Sequence, residues 1–328
     1  MAQAGRRALS QTDHGHIPVL LPEVIELLDP GSAGAILDCT LGRAGHAAEL
    51  LERAKPDGRL FGLDLDEENL QSATQRLAGY GERAQLFHAC FARFDQVAGE
   101  AGPLRVDIIF ADLGLSSNQI ADARRGFSFE VEGPLDMRID TRQSTTAADL
   151  VNALPERELS DLLWRYGQER FSRRIARRIC RMRHQRRITT TSALSKAVCS
   201  AVKADPGSRR SKIHPATRTF LALRIAVNHE LENLESMLAK APQHLNPGGR
   251  IGVISFHSLE DGLVKRDFRQ RQKEGIYRVL TSRPVTPGQQ ERRANPRSRS
   301  AKLRVAERTD QPMSKTGDST SAGKARGS

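Results

Sequence analysis

The chain is short of cysteine. Four occur in 328 residues (Cys39, Cys90, Cys180 and Cys199), and no two form a C-x-x-C pair. That spacing excludes a zinc ribbon and a thioredoxin-like redox site. Long apolar runs are missing as well, and none approaches the roughly 20 residues that a membrane-spanning helix needs. With 38% hydrophobic residues and a mean hydropathy of −0.50, the composition predicts a soluble protein with no membrane partner. Met1 to Asp13 is polar and holds no apolar h-region, so no secretory signal is expected. A reducing, cytoplasmic setting suits this cysteine usage. Internal repeats are absent, and nothing resembles a Ser-His-Asp nucleophile elbow.

Acidic residues are scarce where basic ones gather. The net charge is +12, and between Arg157 and Arg187 eleven arginines meet only three acids. A second segment, Arg283 to Arg304, carries seven Lys or Arg against the single Glu291. Such patches fit a polyanion, with RNA or DNA favoured over a lipid surface because no apolar face accompanies them. A solvated basic face is the alternative.

The stretch around which the chain is organised is Ala35-Ile-Leu-Asp-Cys-Thr-Leu-Gly42-Arg-Ala-Gly45-His46. Ile36 to Cys39 has the length of one buried strand, and Ala47 to Ala54 reads as a helix. Strand, glycine turn and helix make a nucleotide-binding crossover, where glycine lets backbone approach a ligand closely. Gly42 and Gly45 do not supply the three-glycine G-x-G-x-x-G spacing. Two such glycines also suit a left-handed turn and a helix-packing contact. Asp38 ends the strand, and a carboxylate there suits a ligand with a cationic end, such as the ammonium or sulfonium of S-adenosyl-L-methionine.

Three more apolar runs follow, Arg59 to Asp64, Gln85 to Ala89 and Val106 to Asp112, separated by a helix at Glu67 to Ala78 and helical turns from Phe91 to Ala98. A short helix from Glu23 to Leu28, with Pro22 near its first turn, precedes them. Alternation of this kind predicts an α/β fold with a parallel, doubly wound sheet whose ligands sit at the carboxyl ends of the strands. Asp38, Asp64 and Asp112 all fall at such ends. From Leu113 to His214 the pattern holds no strand. Phe171, Ile175, Ile179 and Met182 make an apolar helical stripe there, with Arg173, Arg174, Arg177, Arg178 and Arg181 on the other faces. Ser192 is the expected cap of a helix to Val202, and a basic loop runs from Arg209 into Pro215. One long helix is expected from Ala216 to Ala241, then strands at Arg250 to Phe256, Ile276 to Leu280 and Lys302 to Ala306, with a helix at Val264 to Gln272. The expected organisation is a disordered 1–13, a discontinuous sheet domain over 14–115 and 216–309, an inserted helical domain over 116–215, and a disordered tail over 310–328.

Asp64 stands 22 positions after Gly42, where a carboxylate reaches the ribose hydroxyls of a bound adenosine. Asp112 opens the loop Asp112-Leu-Gly-Leu-Ser-Ser-Asn-Gln119 after the fourth strand. An exocyclic base amine is a poor nucleophile because its lone pair is delocalised into the ring. An acceptor on its N–H draws that pair out, and Asp112 or a neighbouring carbonyl could do so. His257, with Glu260 and Asp261, is one histidine beside two acids, which fits a structural or substrate-contact role better than a metal site.

Seven motifs in order then carry a resemblance. They are Asp38-x-Thr40-x-Gly42-Arg43-x-Gly45-His46, Asp112-Leu-Gly-x-Ser-Ser117-x-Gln119, Arg125-Gly-Phe-Ser-Phe129, Gly133-Pro-Leu-Asp-Met-Arg138, His214-Pro-Ala-Thr-Arg-Thr-Phe220, Ser255-Phe-His-Ser-Leu-Glu-Asp261 and Asn295-Pro-Arg-x-Arg-Ser-x-Lys-Leu-Arg304. From His16 to about Thr309 the chain resembles the ribosomal RNA small subunit methyltransferase H family. The resemblance implies a class I (Rossmann-like) S-adenosyl-L-methionine-dependent methyltransferase sheet with an inserted helical domain. It also implies methylation of N4 of a cytidine in the decoding region of 16S rRNA, in the small ribosomal subunit or its precursor. The cofactor contacts it implies are Ala44, Gly45, His46, Asp64, Phe91, Asp112 and Gln119, with Asp112 also the catalytic candidate and no metal. Three residues depart from the family's usual form: Ala44 for glycine, Leu65 for a polar residue and Asn118 for proline. A DNA cytosine-N4 methyltransferase would share the chemistry but usually carries a Ser-Pro-Pro-Tyr type loop. A NAD-dependent oxidoreductase would share Asp64 but should show G-x-G-x-x-G. An RNA-binding protein without activity would explain the arginines but not the strand-end acids.

Overall fold

A computed structural model describes residues 18–97, 105–203 and 214–311. The expected disordered N-terminus, Ala98, the loop from Arg209 to Ile213 and all but two residues of the expected tail lie outside them. Helix α1 (Leu21–Leu28) begins two residues before the expected start, with Pro22 in its first turn. Strand β1 (Ala35–Asp38) leads to α2 (Gly45–Arg53), β2 (Arg59–Asp64) to α3 (Glu67–Leu77), and β3 (Ala84–His88) to a short α4 (Phe94–Val97) and β4 (Val106–Asp112). The later strands are β5 (Leu245–Ser255), β6 (Tyr277–Val279) and β7 (Lys302–Arg308). They form one seven-stranded sheet in the order β3-β2-β1-β4-β5-β7-β6. The first five run parallel, and β7 is antiparallel to both of its neighbours.

Both faces of the sheet's centre are covered, which is why its central strands are mostly apolar. Successive side chains point to opposite faces. Leu37, Leu63, Ile109, Ile251 and Val253 join one core, and Ile36, Leu60, Ile108, Phe110 and Ile254 the other. After β1 the chain moves outward to β2 and β3, then returns to place β4 beside β1. That reversal opens a crevice above the carboxyl ends of β1 and β4.

Between β4 and β5 the chain is helical, with α5 (Ser117–Ala121), α6 (Ala147–Ala153), α7 (Glu156–Gly167), α8 (Ser172–Gln185), α9 (Thr191–Val202), α10 (Thr217–Asn228) and α11 (Glu230–His244). No strand is named there among the described residues; Pro134 and Thr190 make only an isolated bridge. In α8 the arginine pattern holds. Ile175, Ala176, Ile179 and Cys180 are buried, whereas Arg173, Arg174, Arg177, Arg178 and Arg181 are exposed. The cap of α9 is Thr190, whose hydroxyl accepts the Ala193 N–H at 3.2 Å, rather than the expected Ser192.

The expected long helix is two helices. His229 adopts φ 51° and ψ 38°, in the left-handed region, and ends α10 before α11 begins. The break has a packing cause. Phe220, Leu223 and Val227 of α10 pack with α6 to α9, whereas Leu234, Met237 and Leu238 of α11 pack on the sheet. A straight helix could not serve both cores. The remaining helices are α12 (Ser258–Lys273) and α13 (Gln289–Ala294), and no described helix is long and apolar enough to cross a membrane.

Candidate active site

Six of the seven expected contact residues line one cleft above β1, β2 and β4: Gly45, His46, Asp64, Phe91, Asp112 and Gln119. The turn after β1 builds its floor. Gly42 has φ 53°, and its N–H donates to Asp64 Oδ2 at 2.7 Å. Asp64 Oδ1 accepts the Asp66 N–H at 2.7 Å, so this carboxylate ties the glycine turn to the start of α3. Burial pushes the Asp64 carboxyl up to about 6, although these N–H donors act to lower it.

Ala44 is fully buried behind the cleft and does not line it. Its φ of 58° lies in the left-handed region, so its methyl is strained by about 1 kcal/mol. Its contribution is the shape of the turn. Gly45 has a different reason to be glycine, since a Cβ there would come within 2.8 Å of Pro18.

Asp38 also lies outside the cleft. It is 1% exposed, and its Oδ1 accepts the Thr40 N–H at 3.0 Å. Burial, with Asp64 nearby, pushes its carboxyl up to about 7. Of the three strand-end acids, Asp64 and Asp112 line the cleft and Asp38 does not. The Asp112 N–H donates to Thr40 Oγ1 at 2.6 Å, joining the end of β4 to the glycine turn. Its Oδ1 is buried and has no hydrogen-bond partner among the described residues. Its Oδ2 lies 3.6 Å from His46 Nδ1. Burial, followed by the charges of Asp38 and Glu260, pushes this carboxyl up to about 8. Such a group favours a ligand that brings positive charge or a donor. Together with the Phe91 ring and the glycine turn, it fits the cationic, adenosine-bearing S-adenosyl-L-methionine.

Gln119 bonds to the protein through both ends of its amide. Its Oε1 accepts the Ser116 N–H at 2.9 Å, and its Nε2 donates to Asp66 Oδ2 at 2.8 Å. Asp66, 2% exposed, also caps α3 through the Glu68 and Asn69 N–H groups at 3.0 and 3.3 Å. The same Oδ2 pairs with Arg125 at 2.9 Å, and Arg125 donates to the Ile139 carbonyl at 2.8 Å. Asp66 thus joins the loop after β4 to the end of β2. The sequence reading did not single it out, although an acid just before an amphipathic helix is a cap signal. Asn118 donates to Asn69 Oδ1 at 3.2 Å and adds a second tether to α3.

Of the far wall, only Glu260 and Arg297 fall in motifs that the sequence singled out. Ile139, Asn228, Glu230, Asn233, Glu260 and Arg297 line it. Glu230, His257 and Glu260 bring possible metal-ligand atoms within 4.8 Å of one another. Arg224 already holds both oxygens of Glu230 at 2.8 Å, so positive charge is supplied by the chain itself. Glu260 accepts the Phe256 N–H at 2.9 Å and lies 3.1 Å from the His257 ring, a polar network that anchors the start of α12.

Residues 13–309 match the MraW methylase family. The chain belongs to that family. Among its relatives is a ribosomal RNA small subunit methyltransferase H of Syntrophobacter fumaroxidans, 47% identical, the alignment covering 90% of this chain and 97% of the relative. Proteins of the same name from Cyanothece sp. and Synechococcus sp. are 49% and 50% identical, each alignment covering 90% of this chain and 95% of the relative. As a member of the MraW methylase family the chain is a methyltransferase on a class I, Rossmann-like sheet, and its methyl donor is S-adenosyl-L-methionine.

Proposed function

We propose that this chain methylates the exocyclic N4 amine of a cytidine in the decoding region of 16S rRNA, within the small ribosomal subunit or its precursor. The observation that carries this reading is Asp112, a cleft-lining carboxyl with one buried oxygen unpartnered among the described residues. The relatives are named for the RNA of the small subunit, and the exposed arginines of α8 suit a phosphate backbone. Bound S-adenosyl-L-methionine supplies a methyl group already activated by its sulfonium. The chain's own task is to hold and polarise a weak nucleophile.

Asp112 does this by accepting a hydrogen bond from the amine, which localises the nitrogen lone pair. At neutral pH its raised pKa keeps it protonated in the free protein, and positive charge brought into the cleft returns it to the carboxylate. Gly45, His46, Asp64 and Phe91 are the residues we assign to the cofactor, with Ala44 and Gln119 shaping the loops on either side. The helical block over 116–215, joined by α10, is assigned to gripping RNA with the base presented unpaired. The reaction is a cytoplasmic one on this reading.

Nucleoside mass spectrometry of small-subunit rRNA from cells lacking the protein tests the proposal. N4-methylcytidine should vanish from the decoding region and return when purified protein and cofactor are added to the particles. Unchanged N4-methylcytidine in those cells would overturn it.

A further inference from the structure

A buried histidine stands directly behind Asp112. His46, 6% exposed, packs its ring against Phe110 with the centroids 4.8 Å apart. Its Nε2 lies 2.8 Å from the carbonyl oxygen of Val19. A carbonyl can only accept, so Nε2 carries the hydrogen and the neutral ring keeps its lone pair on Nδ1. That lone pair is the atom 3.6 Å from Asp112 Oδ2. The distance exceeds a hydrogen bond, but such contacts are often long in ligand-free sites and shorten when substrate binds. Among the described residues, the charges that act on Asp112 are those of Asp38 on β1 and Glu260 on α12, and Asp64, Glu230, Arg43 and Arg297 line the same cleft. As carboxylates Asp38 and Glu260 oppose charge on Asp112, whereas the imidazole can receive its proton.

We propose that His46 and Asp112 form one proton-holding pair, in which Asp112 takes the proton of the target amine and His46 Nδ1 accepts a hydrogen bond from the new O–H. This rests on amine methylation as the reaction. The amine nitrogen forms its bond to the methyl carbon while the carbon–sulfur bond breaks with its electron pair left on sulfur. The nitrogen then carries the positive charge, and loss of one N–H proton to Asp112 neutralises it. Hydrogen bonding to His46 holds that proton away from the methylated nitrogen until product leaves and water receives it. His46 is thereby a positioning residue and Asp112 the group that meets the amine.

The free protein gives the first test. In a ¹⁵N-labelled sample, His46 should show Nε2 protonated and Nδ1 bare. Its Nδ1 resonance should move with pH in step with Asp112, and Asp112→Asn should abolish that movement. The reverse tautomer, or the same curve in both proteins, would overturn the pair. The second test is the pH dependence of single-turnover methylation of small-subunit particles at saturating cofactor. His46→Gln should lower the midpoint by about half a pH unit or more, because an acceptor for the Asp112 O–H favours the protonated carboxyl and its loss favours the carboxylate. A uniformly slower rate with an unmoved midpoint would overturn the proposal. Wild-type turnover by Asp112→Asn would instead sink the amine-polarising reading itself. A slow Asp112→Asn beside an unmoved His46→Gln midpoint would sink the pair alone. If His46→Gln does not fold, the resonances of the wild type and Asp112→Asn decide the question.

Discussion

Asp66→Ala should loosen the loop after β4 and destabilise the whole protein. Three separate groups lose their partner in this substitution. Arg125 loses its ion pair at 2.9 Å, Gln119 loses its acceptor at 2.8 Å, and α3 loses its cap at Glu68 and Asn69. Stripping one partner from a buried ion pair costs about 3–5 kcal/mol. Loss of a helix cap costs roughly 1 kcal/mol more. The terms overlap, and Arg125 keeps the carbonyls of Arg138 and Ile139, which pulls the sum toward the low end. A loss of about 3–4 kcal/mol is expected, a large part of the 5–15 kcal/mol by which domains are typically stable. Urea unfolding followed by circular dichroism measures it, with Asp66→Asn as a control that retains an acceptor for the cap. Methylation at saturating cofactor should fall even under conditions where the variant stays folded, because the loop from Asp112 to Gln119 is no longer held. A loss below about 1 kcal/mol for Asp66→Ala would refute the view that this side chain joins the two strand ends.

The charge on Asp112 makes cofactor binding depend on pH. A carboxyl whose folded pKa, about 8, lies above its unfolded value binds more protons folded than unfolded, so its effect turns against folding as pH rises from about 4 toward 8. A cationic ligand reverses this, and S-adenosyl-L-methionine affinity should rise on the order of tenfold from pH 6 to 8 with release of protons. Buffer-dependent heats in titration calorimetry would show that release, and an equal slope in Asp112→Asn would exclude the assignment. Asp64→Ala should weaken cofactor binding by roughly 1–3 kcal/mol, since both a sugar partner and the anchor of Gly42 are removed. Unchanged affinity would remove Asp64 from the site. Charge reversal at Arg174 and Arg178 should spare cofactor affinity but lower the salt slope of particle binding by about 0.7–0.9 for each phosphate no longer neutralised. An unaltered slope would mark that face of α8 as merely solvated.

The central strands were legible because they are buried on both sides, so apolar runs such as Val106 to Ala111 stand out against polar surroundings. Their ends were legible because Asp64 and Asp112 interrupt those runs. Asp38 misled, since a carboxylate at a strand end can turn under the next loop as readily as toward a ligand, and the Thr40 N–H decided which. The break at His229 left no trace in spacing. Apolar residues continue at helical intervals on both sides, and only the presence of two separate cores forces the bend. Thr190, Thr191 and Ser192 are all competent caps, so the choice among them belongs to packing. Gln119 lines the cleft, and its bond to Asp66 was not legible because that partner lies 53 residues away.

The bend at His229 also bears on how the protein can change over evolution. Asn228 and Glu230, the residues on either side of it, both line the cleft. One connection between the helical block and the sheet is therefore a single amino acid, flanked on both sides by residues of the cleft wall. Most enzymes that carry an accessory module attach it through loops that tolerate insertion and drift. Here a residue added or deleted at the joint would rotate α11 by about 100° and carry Glu230 and Asn233 off the wall. Specificity and catalysis must consequently evolve in register at this joint, and length variation in the helical block belongs away from it.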